Sequence, residues 1–273
     1  MAPGDYNLTL TTGGADRSYI LHVPISYDGS KALPLVLVLH GLGGNAEGMA
    51  KGSGLGLLGD QKNFIVAYLN GTGDPQGWNT GFTPWLNTPY DDVAFVRALV
   101  AQLSSQLKVD AKRVYAVGFS NGGFMTHRLA SEASDLLAAV AVVEGTIGTV
   151  QADHSVLKIA TPARPIPILI LHGKQDPRIL YDGGPIPNFQ AGALSVADAV
   201  KLWTDANGCT GTPVTTEVFN GNAVNEDYTS CPGDNEVMLV TLVNGVHQWP
   251  TLQNPAHFPG TEAVWNFFAR HSK

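Results

Sequence analysis

Lysine and arginine are scarce, 16 among 273 residues, and they form no run that could lie along a nucleic-acid backbone. With 23 Asp and Glu the formal charge is -7, which also argues against an anionic membrane as partner. A neutral substrate fits this balance better. Long apolar stretches are missing too, since the longest, such as "LPLVLVLHG", are strand-sized and fall short of the ~18 residues that span a bilayer. The opening "MAPGDYNLTL" has no basic segment followed by an apolar one, so it does not read as a signal peptide. Cysteine is limited to Cys209 and Cys231, neither in a C-x-x-C nor in a Cys/His cluster of zinc spacing. A bound metal is therefore not expected. A disulfide between the two is expected, with a chain-entropy contribution of ~3 kcal/mol, and it favours an oxidising compartment.

What is present is an apolar chain. Hydrophobic residues make up 44% and charged residues only 14%, enough to bury a large core in one α/β domain over 1–273. "YNLTL", "TTGGADR" and "SYILHVP" read as a hairpin turned at Gly-Gly. "PLVLVLH" (34–40), "NFIVAYLN" (63–70), "RVYAVGF" and "IPILILHG" are continuous apolar runs, the mark of strands covered on both faces. Val93, Val96, Val100, Leu103 and Leu107 recur at helical spacing, with Thr88 as the expected N-cap and Pro89 in the first turn. Ser195–Gly208 looks capped by Ser at one end and Gly at the other, and Thr261–His271 makes a last helix. The alternation predicts a mostly parallel sheet flanked by helices behind an N-terminal antiparallel hairpin. "KGSGLGLLGD" lacks the G-K-[ST] ending of a phosphate loop and reads as a helix broken by glycines, or as a loop.

Gly118-Phe119-Ser120-Asn121-Gly122 fits G-x-S-x-G between a strand and a helix. Such a sharp turn exposes the hydroxyl and aims the helix N-terminus, with its unpaired N–H groups, at the place where an oxyanion develops. A serine needs a base. Of eight histidines, those after the serine and after an acid are His247, His257 and His271, and only His247 follows a strand-like run, "EVMLVTLV". His40 and His172 end strands in "LHG" and read as structural, as do His22 in the hairpin and His127 in the helix after the serine. The acid is expected after "IPILILHGKQD" at Asp176, with Asp182 as runner-up. "HGLGG" (40–44) brings backbone N–H groups towards the serine, so Leu42 and Asn121 N–H are the expected oxyanion donors. No cofactor is required.

Together "RSYILHVP", "PLVLVLHGLGG", "GWN", "DDVAFVRALV", "RVYAVGFSNGGFM", "LILHGKQDPRILYDGG", the two cysteines and "HQWP" resemble the polyhydroxybutyrate depolymerase and feruloyl esterase-like group of α/β-hydrolases. The resemblance implies an α/β-hydrolase fold, a Ser120–Asp176–His247 triad and secretion. Val246, Thr251 and Leu180 stand where that group commonly has Gly, Gly and Pro, differences that leave the triad intact and are expected to bear on the shape of the pocket mouth. Trp78, Trp85, Tyr181 and Trp249 lie on loops near strand ends, where an aromatic wall would suit a phenolic acyl group or a sugar ring. Trp203 and Trp265 lie on helices and read as core. The expected activity is hydrolysis of feruloyl or acetyl esters of plant polysaccharide, small or polymeric. Polyester depolymerisation and non-catalytic polymer binding are the alternatives.

Overall fold

The structure is a computed structural model that describes residues 1–86 and 88–273. β1 (Gly4–Thr12) and β2 (Ala15–Val23) form the antiparallel hairpin, turned at Gly13 and Gly14. β3 (Leu33–Leu39) follows, then α1 (Ala46–Ser53) and α2 (Leu55–Lys62), separated by Gly54 at φ 70°. The glycine-rich "KGSGLGLLGD" is thus helix interrupted by one left-handed residue. β4 (Ile65–Leu69), α3 (Asp92–Gln106), β5 (Val109–Phe119), α4 (Asn121–Glu132) and β6 (Ala139–Val143) continue the alternation. Next come the short β7 (Gly148–Gln151) and β8 (Val156–Lys158), β9 (Ile168–Gly173), and β10 (Gly184–Pro185) with β11 (Ala191–Ala193). The chain closes through α5 (Val196–Asn207), β12 (Val214–Val218), β13 (Ala223–Tyr228), β14 (Val237–Leu242) and α6 (Gly260–Phe268).

Ten strands make one sheet in the order β1-β2-β4-β3-β5-β6-β9-β14-β13-β12. From β4 to β14 every pairing is parallel, and the two flanks are antiparallel. The central strands are buried along nearly their whole length, which is why they read as unbroken apolar runs. Alternate residues face two cores. One holds Leu35, Leu37 and Ile170 with α3, α4 and α5; the other holds Val36, Val38 and Leu171 with α1, α2 and α6.

α5 carries the expected caps, with a reciprocal Ser195/Asp198 capping box and a left-handed Gly208. α3 differs from expectation at its start. Asp91, not Thr88, is the N-cap and accepts from Val93 and Ala94 N–H, so Pro89 lies outside the helix. The following Asp92 is buried and takes Arg17 Nη2 at 2.6 Å and Asn79 N–H at 2.7 Å, fastening the loop before α3 to β2. A second sheet, β10-β11-β7-β8, is antiparallel and has no counterpart in the sequence reading. The parallel core delivers the chain ends after β3, β5, β6, β9 and β14 to one edge, where open α/β sheets place their ligands.

Candidate active site

β5 ends at Phe119, and Ser120 turns the chain at φ 55°, ψ -121° before α4 starts at Asn121. The turn is this tight because two glycines let backbones touch. A Cβ on Gly118 would lie 2.0 Å from Gly122 O, and one on Gly122 would lie 2.3 Å from Leu39 O. Ser120 N–H donates to Val143 O at 2.9 Å, tying the turn to the end of the neighbouring β6.

Ser120 Oγ lies 2.8 Å from His247 Nε2, and His247 Nδ1 lies 2.7 Å from Asp176 Oδ2. His247 rides the loop after β14; Asp176 rides the loop after β9, the adjacent parallel strand. Asp176 Oδ1 accepts from Arg178 N–H at 2.7 Å and Ile179 N–H at 3.0 Å, which orients the carboxylate. Burial works against its charge, yet the hydrogen bond and charge of His247, helped by Glu144 and Ile179, hold its carboxyl below the usual range. Among the described residues, neither Leu42 N–H nor Asn121 N–H has an acceptor, and both residues line the cavity above Ser120. The Leu42 loop is held by Gly43 N–H on Gln76 O at 2.7 Å and Gly44 N–H on Gly41 O at 2.9 Å.

The cavity measures about 360 Å³ and is walled by Trp85, Phe119, Phe124, Ile186 and Phe189, with Arg178 among its remaining lining residues. A larger open depression of about 1000 Å³ lies over the N-terminal hairpin around Asp5, His22 and Asp60. It is a polar surface, with His22 Nδ1 at 2.7 Å from Asp5 Oδ1, and it contains none of Ser120, Asp176 and His247.

The sequence profile described as "Esterase PHB depolymerase" matches residues 17–186, more than half of the chain. The chain belongs to this family of esterases. It is 34% identical over 236 residues to feruloyl esterase B of Piromyces equi, covering 85% of this chain and 42% of that protein, so it spans less than half of that relative's length. To feruloyl esterase C of Emericella nidulans it is 29% identical over 270 residues, covering 95% of this chain and 87% of the relative. The solved acetyl xylan esterase from Aspergillus awamori superposes with a TM-score of 0.70 at 15% identity, covering 98% and 99% of the two chains. That likeness is one of fold, and the fold is that of the α/β-hydrolases.

For this esterase-family chain the four aromatic expectations divide. Trp85 lines the cavity and packs against Phe189 at 5.4 Å. Trp78 does not. It is fully buried, with Nε1–H on His40 O at 2.8 Å and its backbone N–H on Asn121 Oδ1 at 2.9 Å, so it braces the Leu42 loop against the serine turn. Tyr181 spends its hydroxyl on Thr241 at 2.6 Å and its ring packs at right angles to that of His172, away from the cavity lining. Trp249 turns towards α6, donating to Thr261 Oγ1 at 3.0 Å, and steadies the loop of His247 from behind. Trp203 is buried, with Nε1–H on His127 Nδ1 at 3.0 Å, and Trp265 stacks on Phe64 at 4.1 Å.

Five of the other histidines, His22, His40, His127, His172 and His257, have hydrogen-bond partners of their own. His40 Nε2 accepts Gly71 N–H at 2.9 Å, His172 Nε2 meets Ile179 O at 2.7 Å, and burial followed by the charge of His172 drives His127 down to about 3. His271 lies 3.3 Å from Glu236, and His257 Nδ1 meets Leu252 O at 3.1 Å. Asp182 is exposed on its turn. Cys209 and Cys231 are joined in a disulfide. One residue at the site went unread: Glu144, fully buried directly after β6. An acid placed just after an apolar strand, "AVAVVE", was the available signal. One oxygen each of Glu144 and Asp176 and one ring nitrogen of His247 lie within 4.8 Å of one another. A cation there would have to part the 2.7 Å contact between His247 and Asp176.

Proposed function

We propose that this chain is a serine carboxylic-ester hydrolase working through an acyl-enzyme, with all 273 residues forming one catalytic domain. The observation that carries it is the unbroken relay from Ser120 Oγ through His247 to Asp176, at 2.8 and 2.7 Å, at the cavity floor. His247 Nε2 takes the serine proton as Oγ attacks the ester carbonyl, then returns it to the leaving alcohol. Water, activated by the same imidazole, releases the acid. Asp176 holds the imidazole tautomer and stabilises the imidazolium. The backbone N–H groups of Leu42 and Asn121 bind the oxyanion in both halves, each worth roughly 3 to 4 kcal/mol in comparable sites.

The acyl group is feruloyl or a related hydroxycinnamoyl group, esterified to plant polysaccharide, with acetyl esters as smaller substrates. A cavity of about 360 Å³ with flat walls at Trp85, Phe189, Phe119 and Phe124 suits one aromatic ring. A pocket of about 360 Å³ with aromatic walls supports an aromatic acyl ester over a polyester chain, which needs an extended groove. Secretion fits the disulfide, and no helix among the described residues is long and apolar enough to cross a membrane. The test is kcat/KM for methyl ferulate, p-nitrophenyl acetate, acetylated xylan and polyhydroxybutyrate. Preference for ferulate, lost when Trp85 or Phe189 becomes Ala, is expected. Activity confined to short acyl esters, indifferent to those changes, would overturn the aromatic assignment.

A further inference from the structure

Glu144 takes no part in the bond-making and bond-breaking of the reaction. It is wholly buried and sits at φ 51°, a left-handed conformation that is costly for a residue with a β-carbon. Its surroundings hold it there. Its N–H donates to Leu171 O at 2.9 Å, and Gly173 N–H lies 3.0 Å from each of its carboxyl oxygens. One of its carboxyl oxygens lies within 4.8 Å of one of Asp176, beside the contact that Asp176 makes with His247.

Three donors converge on Asp176: Arg178 N–H, Ile179 N–H and the Nδ1–H of His247. Among the described residues, one backbone N–H donates to the Glu144 carboxyl, that of Gly173. Two neighbouring carboxyls in a dry site cannot both ionise, so the proton stays on the group with fewer donors. The other titratable neighbours do not offset this. His172 Nε2 is 3.4 Å from Glu144 and 3.6 Å from Asp176, but its hydrogen points to Ile179 O at 2.7 Å and burial lowers the ring's affinity for a second proton. Lys174 and Arg178, on the loop that carries Asp176, are exposed to solvent. Burial first, then the hydrogen bond and charge of Asp176, raise the Glu144 carboxyl well above the ordinary range.

We propose that Glu144 is a positioning residue: it keeps the proton shared by the two carboxyls and donates it to Asp176, so that His247 faces one negative charge, fixed by a donor, instead of two. The kinetic consequence rests on the ester-hydrolase reading; the location of the proton does not. A donor on Asp176 makes that carboxylate a weaker base, so the imidazole is oriented by a single, partly neutralised charge.

Infrared spectroscopy in heavy water at neutral pH reads the proton directly. The carbonyl band of a protonated carboxylic acid is expected in the parent protein and absent from Glu144→Gln. On the same proteins the acid limb of kcat/KM for p-nitrophenyl acetate is compared. Glu144→Gln keeps a donor and is expected to hold that limb within about 0.2 pH units, whereas Glu144→Leu, without one, moves it up by about 0.5 to 1. No carboxylic-acid band, a downward shift in Glu144→Gln, or a folded Glu144→Leu with an unmoved limb would each overturn the proposal. Should the Leu variant fail to fold, the infrared band and the Gln profile decide. Absence of any esterase activity would remove the functional reading while the band still tells where the proton lies.

Discussion

Ser120 and Glu144 both hold positive-φ backbone conformations at the ends of adjacent parallel strands, and each is fixed there by a hydrogen bond to a neighbouring strand end. Such strain is tolerated where surrounding contacts over-determine it. Glu144 has a measurable cost that depends on pH. Its folded carboxyl is raised, so below the unfolded carboxylate pKa both states carry the proton and nothing is lost. Above it the unfolded chain releases a proton that the folded chain retains, and stability falls by up to about 1.4 kcal/mol per pH unit until the folded group ionises. Glu144→Gln has no such proton. Thermal melts should show its advantage over the parent absent near pH ~4 and growing towards neutrality; a pH-independent difference would contradict the protonated carboxyl. At this scale the sequence was legible where chemistry demands a residue type after a strand: Ser120, Asp176 and His247 meet as a chain order of serine, acid and histidine implies. Side-chain direction was not legible. Trp78, Trp85, Tyr181 and Trp249 all sit on segments near strand ends, yet only Trp85 faces the cavity, because which way a loop residue points is set by partners such as His40 O, Thr241 and Thr261 from remote segments.

Among the elements, the β5–α4 turn governs everything built on it. Gly122→Ala would press a methyl group 2.3 Å from Leu39 O and 2.6 Å from His40 O, backbone atoms at the end of β3 that cannot yield without moving the Leu42 loop. The expected outcome is a loss of roughly 1–3 kcal/mol in denaturant unfolding together with a fall in kcat far larger than any change in KM, since the oxyanion donors move and the pocket walls do not. Unchanged kcat would show that the close approach is unnecessary. The buried strands and most helices were readable from apolar runs and spacing. The start of α3 was not, because Asp91 and Thr88 are both good caps; burial of Asp92 against Arg17 and Asn79 decided for the later one. The small sheet β10-β11-β7-β8 was unreadable for a different reason: its strands are two to four residues long, too short to display a period.

At the level of the whole molecule, six parallel strands bring the ends of β3, β5, β6, β9 and β14 to one edge, and antiparallel strands close both flanks. The disulfide ties the segment after α5 to the loop after β13 across 22 residues, on the flank that begins with β13, and neither cysteine lines the cavity. Reduction should therefore lower the unfolding free energy by about 3 kcal/mol while leaving kcat/KM of the folded protein within a factor of about two. A parallel loss of activity at temperatures where the reduced protein remains folded would show that the flank shapes the site. The central claim is that Ser120 is a nucleophile activated by His247, and intact-mass spectrometry after exposure to a fluorophosphonate tests it most directly. One covalent adduct per chain is expected, mapped to Ser120 and abolished in Ser120→Ala and His247→Ala; an unlabelled parent protein, or an adduct that survives Ser120→Ala, would contradict it.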